Sequence, residues 1–123
     1  MKNFIEKNEG EVLDFTDCGL DDEKLLEILT QVSTTKKKMK GLKLGKNKLT
    51  NAGISKAIVY LTHTTNLNLS ENNLTEDILA QFVERKEKLM NLRIINLWQN
   101  KMNERKAKSW VEELKKRGII VTL

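Results

Sequence analysis

Proline is absent from this chain of 123 residues, so no turn in it is set by a locked φ angle. Cysteine occurs once, at Cys18, which excludes an internal disulfide framework and points to a reducing compartment, the cytoplasm. The single histidine, His63, lies in Thr62-His63-Thr64-Thr65 with no Cys or carboxylate at ligand spacing. No local metal site follows from it, and Cys18, two repeats away, gains no base from it for a nucleophile pair. The acid pairs Asp21-Asp22 and Glu112-Glu113 fall at a helix start and on a helix surface, where capping and solvation explain them. A Gly-rich phosphate loop is missing too. The longest apolar run, Ala57-Ile58-Val59-Tyr60-Leu61, is too short to span a bilayer. The first residues, Met1-Lys2-Asn3-Phe4-Ile5-Glu6-Lys7, lack the apolar stretch of a secretory signal. These absences predict a soluble, non-catalytic protein without cofactor or metal.

What is present is a repeat. Leu13-Asp14-Phe15-Thr16-Asp17-Cys18-Gly19-Leu20 is followed by Leu42-Lys43-Leu44-Gly45-Lys46-Asn47-Lys48-Leu49. Then come Leu67-Asn68-Leu69-Ser70-Glu71-Asn72-Asn73-Leu74 and Ile95-Asn96-Leu97-Trp98-Gln99-Asn100-Lys101-Met102. Each reads L-x-L-x-x-N-x-L with aliphatic or small replacements, and the starts are 29, 25 and 28 residues apart. Such a period predicts a solenoid whose units bury their faces against their neighbours. The length suits a single domain. Units are expected to start near residues 11, 40, 65 and 93.

Within L-x-L both apolar side chains leave the same face of a short strand, and the residues between them face the other way. Asn47, Asn72 and Asn100 follow each strand, where an amide can satisfy backbone groups of the turn and, in stacked units, form a ladder. Asp21, Thr50, Thr75 and Asn103 stand where helix N-caps are expected. Buried stripes follow: Leu25, Ile28, Leu29, Val32; Ile54, Ala57, Ile58, Leu61; Ile78, Leu79, Phe82, Val83; Ala107, Trp110, Val111, Leu114. Lys115-Lys116-Arg117-Gly118 closes the last helix with basic residues and a C′ glycine. Residues 119–123 supply a fifth strand, with Val121 and Leu123 in the L-x-L positions. Alternating strands and helices of this kind give a parallel sheet with helices as crossovers.

This pattern resembles the leucine-rich repeat family, and its period with a full outer helix is similar to the ribonuclease-inhibitor-like subclass. The resemblance covers about residues 11–123. It implies a short α/β horseshoe arc, with the five-stranded parallel sheet concave and the helices convex. It also implies a structural role for Cys18, since the turn position takes Asn or Cys in that subclass. The family's further leucine, three residues upstream of each strand motif, is Met39 and Leu92 here but Gly10, Thr64 and Gly118 elsewhere. The unit between Leu42 and Leu67 is short, so a trimmed helix is expected. The Lys/Asn-rich composition is similar to that of AT-rich intracellular bacteria, some of which deliver leucine-rich repeat effectors into host cells.

If the L positions face the core, the remaining strand positions make a surface. Its N-terminal part is polar, with Asp14 beside Lys43 and Asp17 beside Lys46; its C-terminal part gathers Ile94, Trp98 and Ile120. An exposed tryptophan in an apolar patch is the kind of residue that becomes a binding hot spot. A protein partner is therefore expected on this face, at Trp98, Ile94, Asn96 and Ile120, with Asp14, Lys43, Lys46, Asn68 and Glu71 setting register. Two alternatives remain open. Net charge is +5, and Lys36, Lys37, Lys38, Lys40, Lys43 and Lys46 form a basic cluster that would suit nucleic acid or an acidic membrane. That run is equally explained as a solvated stretch between a helix end and the next strand. The other alternative is assembly through the terminal edge strand at Leu123, where a proline at Thr122 would block pairing. Residues 1–10, with Phe4 and Ile5, are expected to cover the other end.

Overall fold

Every L-x-L stretch forms a three-residue strand: β1 (Val12–Asp14), β2 (Gly41–Lys43), β3 (Asn66–Asn68), β4 (Ile94–Asn96) and β5 (Ile120–Thr122). The structure, a computed structural model, describes residues 11–35 and 38–123. The expected cover at Phe4 and Ile5, and Lys36 and Lys37 of the basic run, lie outside the described residues. All five strands are parallel and stand in chain order in one sheet. Register sets Leu13, Leu42, Leu67, Ile95 and Val121 in one row across it. The same backbone bond recurs at each junction: Phe15 N to Lys43 O, Leu44 N to Asn68 O, Leu69 N to Asn96 O and Leu97 N to Thr122 O, at 2.7–2.9 Å.

Between the strands run α1 (Asp22–Ser33), α2 (Asn51–Ala57), α3 (Asp77–Glu84) and α4 (Glu104–Lys116). Neighbouring helices touch in chain order, so the molecule is α/β with helices against one face of a parallel sheet. The core is a single cluster between the two layers, including Leu13, Phe15, Leu42, Leu44, Leu67, Leu69, Ile95 and Leu97 from the sheet. Opposite them stand Leu25, Ile28, Leu29, Ile54, Ile58, Ile78, Leu79, Phe82, Ala107 and Leu114. Val83, Trp110 and Val111 are half-buried and pack against this cluster. No described helix is long and apolar enough to cross a membrane.

The shortened unit has the expected trimmed helix, with seven residues in α2 against twelve in α1. Sequence reading does not anticipate that α3, with eight residues, is nearly as short. Its unit spends its length on a 3₁₀ turn (Lys86–Lys88) and a loop. Asp21 and Asn103 cap as expected, accepting from Lys24 N at 2.9 Å and Lys106 N at 3.1 Å. Thr50 holds the cap position of α2 but makes no cap bond, and at α3 the cap is Glu76 rather than Thr75. The reason is lateral. Asp22 Oδ1 accepts from Thr50 N, Asn51 Oδ1 from Thr75 N and Glu76 Oε1 from Asn103 N, at 2.9–3.0 Å. The first turn of each helix thus secures the chain entering the next one. Gly53 belongs to this junction, since a Cβ there would lie 2.1 Å from Asp22 Oδ1 and 2.6 Å from Asp22 Cβ. The C-terminus of α4 ends as read, with Gly118 at φ 82°. Ile119 N and Gly118 N bond back to Leu114 O and Lys115 O, closing the helix in a Schellman motif.

The asparagines form the second tie between units. Asn47 Oδ1 accepts from Cys18 N at 3.1 Å and Leu20 N at 2.9 Å, while its Nδ2 reaches Phe15 O, Leu44 O and Gly45 O. Asn72 takes Leu49 N and gives to Leu44 O, Leu69 O and Ser70 O. Asn100 takes Asn72 N and Leu74 N and gives to Leu69 O and Leu97 O. Each amide therefore satisfies its own turn and the preceding one, which would otherwise bury unpaired N–H groups. Among the described residues, the Cys18 thiol reaches only the Thr16 carbonyl of its own turn, at 3.5 Å. Thr64 is fully buried and donates its hydroxyl to Met39 O at 2.9 Å.

Candidate functional site

The side of the sheet away from the helices carries the residues that differ from strand to strand. Register orders it into rows: Val12, Gly41, Asn66, Ile94 and Ile120, then Asp14, Lys43, Asn68, Asn96 and Thr122. Beyond the strands follow Thr16, Gly45, Ser70 and Trp98, then Asp17, Lys46, Glu71 and Gln99. The last four all have positive φ, between 54° and 57°. Left-handed backbone at non-glycine residues costs roughly 1–2 kcal/mol each. It turns the chain so that the following Cys or Asn points inward.

Four large apolar side chains stay exposed on this side: Val12 at 50%, Ile94 at 44%, Trp98 at 51% and Ile120 at 62%. Ile94 and Ile120 are direct partners in register. Trp98 is four residues further along, roughly 13 Å by strand rise, with Asn96 between. The expected patch is thus an isoleucine pair and a separate tryptophan. The tryptophan is held by its backbone, its N–H donating to Asn96 Oδ1 at 3.0 Å and its carbonyl accepting from Glu71 N at 2.8 Å.

The polar residues are more constrained than sequence reading expects. Asp14 Oδ1 accepts from Thr16 N at 3.0 Å and the Thr16 hydroxyl at 2.6 Å. Asn68 Oδ1 accepts the same pair of bonds from Ser70, and Asn96 Oδ1 accepts from Trp98 N. These bonds stiffen the strand exits. The Thr16 hydroxyl and then its N–H hold the Asp14 carboxyl below its ordinary range, with the Lys43 charge a smaller contribution. Burial, followed by the charges of Asp14 and Asp17, pushes the Cys18 thiol up, away from the reactive thiolate. Lys43 and Lys46 are exposed, and Glu71 is half-buried.

Sequence reading assigns the alternate strand positions to this surface but misses what Val12, Gly41 and Asn66 form together. A shallow trough of about 330 Å³ crosses the strands, lined by Val12, Gly41, Asn66 and Ile94 along one row and Lys43, Asn68 and Asn96 along the next. The signal was a glycine flanked by valine and asparagine in register, which only strand pairing reveals. Trp98 and Ile120 lie outside the trough.

The other candidates do not converge. His63 is exposed beside Tyr60, Thr62 and Lys38 in a cleft of about 410 Å³ under α1 and the turn after α2. Among the described residues, no three of His, Cys, Asp and Glu stand close enough to hold a metal ion. Lys40 of the basic run pairs with Glu11 at 3.2 Å, and Lys38 is exposed. No family model matches the chain, and no curated protein or solved structure matches it.

Proposed function

We propose that this chain is a short leucine-rich repeat solenoid that binds a partner protein on the open, concave face of its sheet. The observation that carries the reading is the exposure of Val12, Ile94, Trp98 and Ile120 on a sheet face whose other side is packed with leucine. Large apolar groups held in the open on a rigid sheet are what interface cores are made of. The family reading is supported by the in-register leucine row, the asparagine ladder and the left-handed residue repeated before Cys18, Asn47, Asn72 and Asn100. A polyanion site is less well supported, because Lys40 of the basic run is paired with Glu11.

Affinity capture from eukaryotic and bacterial lysates in parallel, with wild type and Trp98→Ala as baits, tests the reading. A protein retained by wild type and lost by the folded variant supports the open face as its site. Recovery from the eukaryotic lysate alone supports an effector delivered to a host. Equal recovery by both baits removes Trp98 from the site.

A further inference from the structure

The trough on the open face has a polarity of its own. Asn68 and Asn96 are paired in register, and each spends its Oδ1 on the backbone N–H two residues on. A backbone N–H can only donate, so the oxygen must face it and the Nδ2 group must turn away from the turn. Neither Nδ2 has a partner among the described residues. Lys43 is the register neighbour of Asn68, so an ammonium and two amide NH2 groups stand in one row along the trough. Among the described residues no carboxylate lines it; Asp14, the register partner of Lys43 and next in the row, spends its Oδ1 on Thr16. Val12 and Ile94 are aliphatic stops at either end, on strands three apart. That separation is about 14 Å, the length of roughly four extended residues. Gly41 is buried, and glycine there lets Val12 pack down, since a Cβ would sit 3.0 Å from Val12 Cγ2.

We infer that this trough receives an extended segment of the partner protein carrying one Asp or Glu side chain flanked by aliphatic residues. The carboxylate is taken by Lys43, Asn68 and Asn96, and the aliphatic side chains rest on Val12 and Ile94. The inference rests on the open face being the binding surface and adds the chemistry it selects. Fixed donors and one cation favour a carboxylate over a neutral isostere, because charge-assisted bonds are stronger and the donors need no reordering.

The blocked tetrapeptide N-acetyl-Val-Glu-Ala-Val-amide and its Gln counterpart are the probes. Each is titrated at millimolar concentration into the whole chain labelled with 15N. The expected result is movement of the Asn68 and Asn96 side-chain NH2 signals with the Glu peptide, and at least about tenfold weaker binding of the Gln peptide. Asn68→Asp and Asn96→Asp keep the turn bond, as Asp14 does in the first unit, but exchange the donor for a negative charge. Both are expected to fold normally and to lose the Glu peptide. Equal response to the two peptides, or no response at the two amides, would overturn the inference. Those failures remain distinct from failure of the open-face reading, which is measured by capture with Trp98→Ala.

Discussion

The two sides of the sheet obey different rules. On the helix side, each strand repeats Leu, Ile, Val or Phe, and each turn repeats the same bonds. On the open side, no two strands match: valine, glycine, asparagine and two isoleucines fill one row, and an acid, a lysine, two asparagines and a threonine the next. The first side is bound by packing density and by the need to pair every buried N–H. The second has water or a partner against it, so its residues vary without loss of the fold. Uniformity here marks structure, and variation marks the surface available for recognition.

The sharpest way to break the helix side is through its ladder. Asn47→Ala would strand Cys18 N and Leu20 N, the second in a buried position, and should destabilise the protein by about 3 kcal/mol in urea unfolding. Gly53→Ala should cost about 2 kcal/mol, because the new methyl displaces Asp22 and with it the Thr50 bonds. The turn position offers a control within one unit. Lys46→Val places a β-branched residue at φ 56° and should cost about 2 kcal/mol, whereas Lys43→Val, in ordinary strand, should be nearly neutral. On the open side, Trp98→Ala should change stability by about 1 kcal/mol or less, since half of the ring is already in water. A larger loss would make the tryptophan part of the scaffold and erase the contrast between the faces.

The smallest effect is electrostatic. Asp14 is held below its ordinary range by Thr16, so the folded state binds its proton less tightly than the unfolded chain. Its contribution is complete above the unfolded value of about 4 and is lost as pH falls through the folded one. Asp14→Asn keeps the turn bond in the form seen at Asn68 and Asn96. It should lower the urea midpoint slightly at neutral pH, where the carboxylate's contribution is complete, and flatten its decline between neutral pH and about pH 3. An undiminished decline would assign the acid sensitivity to other carboxylates.

Much of the scaffold was legible because it rests on short-range pattern. The period-two apolar positions gave the five strands, and the stripe of Leu25, Ile28, Leu29 and Val32 gave α1 with its buried face. The Asp21 and Asn103 caps and Gly118 were legible for the same reason. Thr50 takes its expected cap position without a cap bond, and Thr75 yields the cap to Glu76, because their side-chain partners, Asp22 and Asn51, are a whole unit earlier in the chain. Thr64 reads as a departure in the sequence because Met39 O, which accepts from its hydroxyl, lies a whole unit earlier. The shortness of α3 was hidden because period alone does not divide a unit between helix and turn.

By itself, the sequence determined which face of each strand is buried, because hydrophobic spacing is a local property that fixes side-chain direction. It likewise determined that an amide follows each of three strands. What only the tertiary structure decided is which strand positions become neighbours: Val12 with Gly41, Lys43 with Asn68, and Asn68 with Asn96. Those pairs are 25 to 29 residues apart in the chain, and a trough or a row of donors exists only once parallel pairing fixes their register.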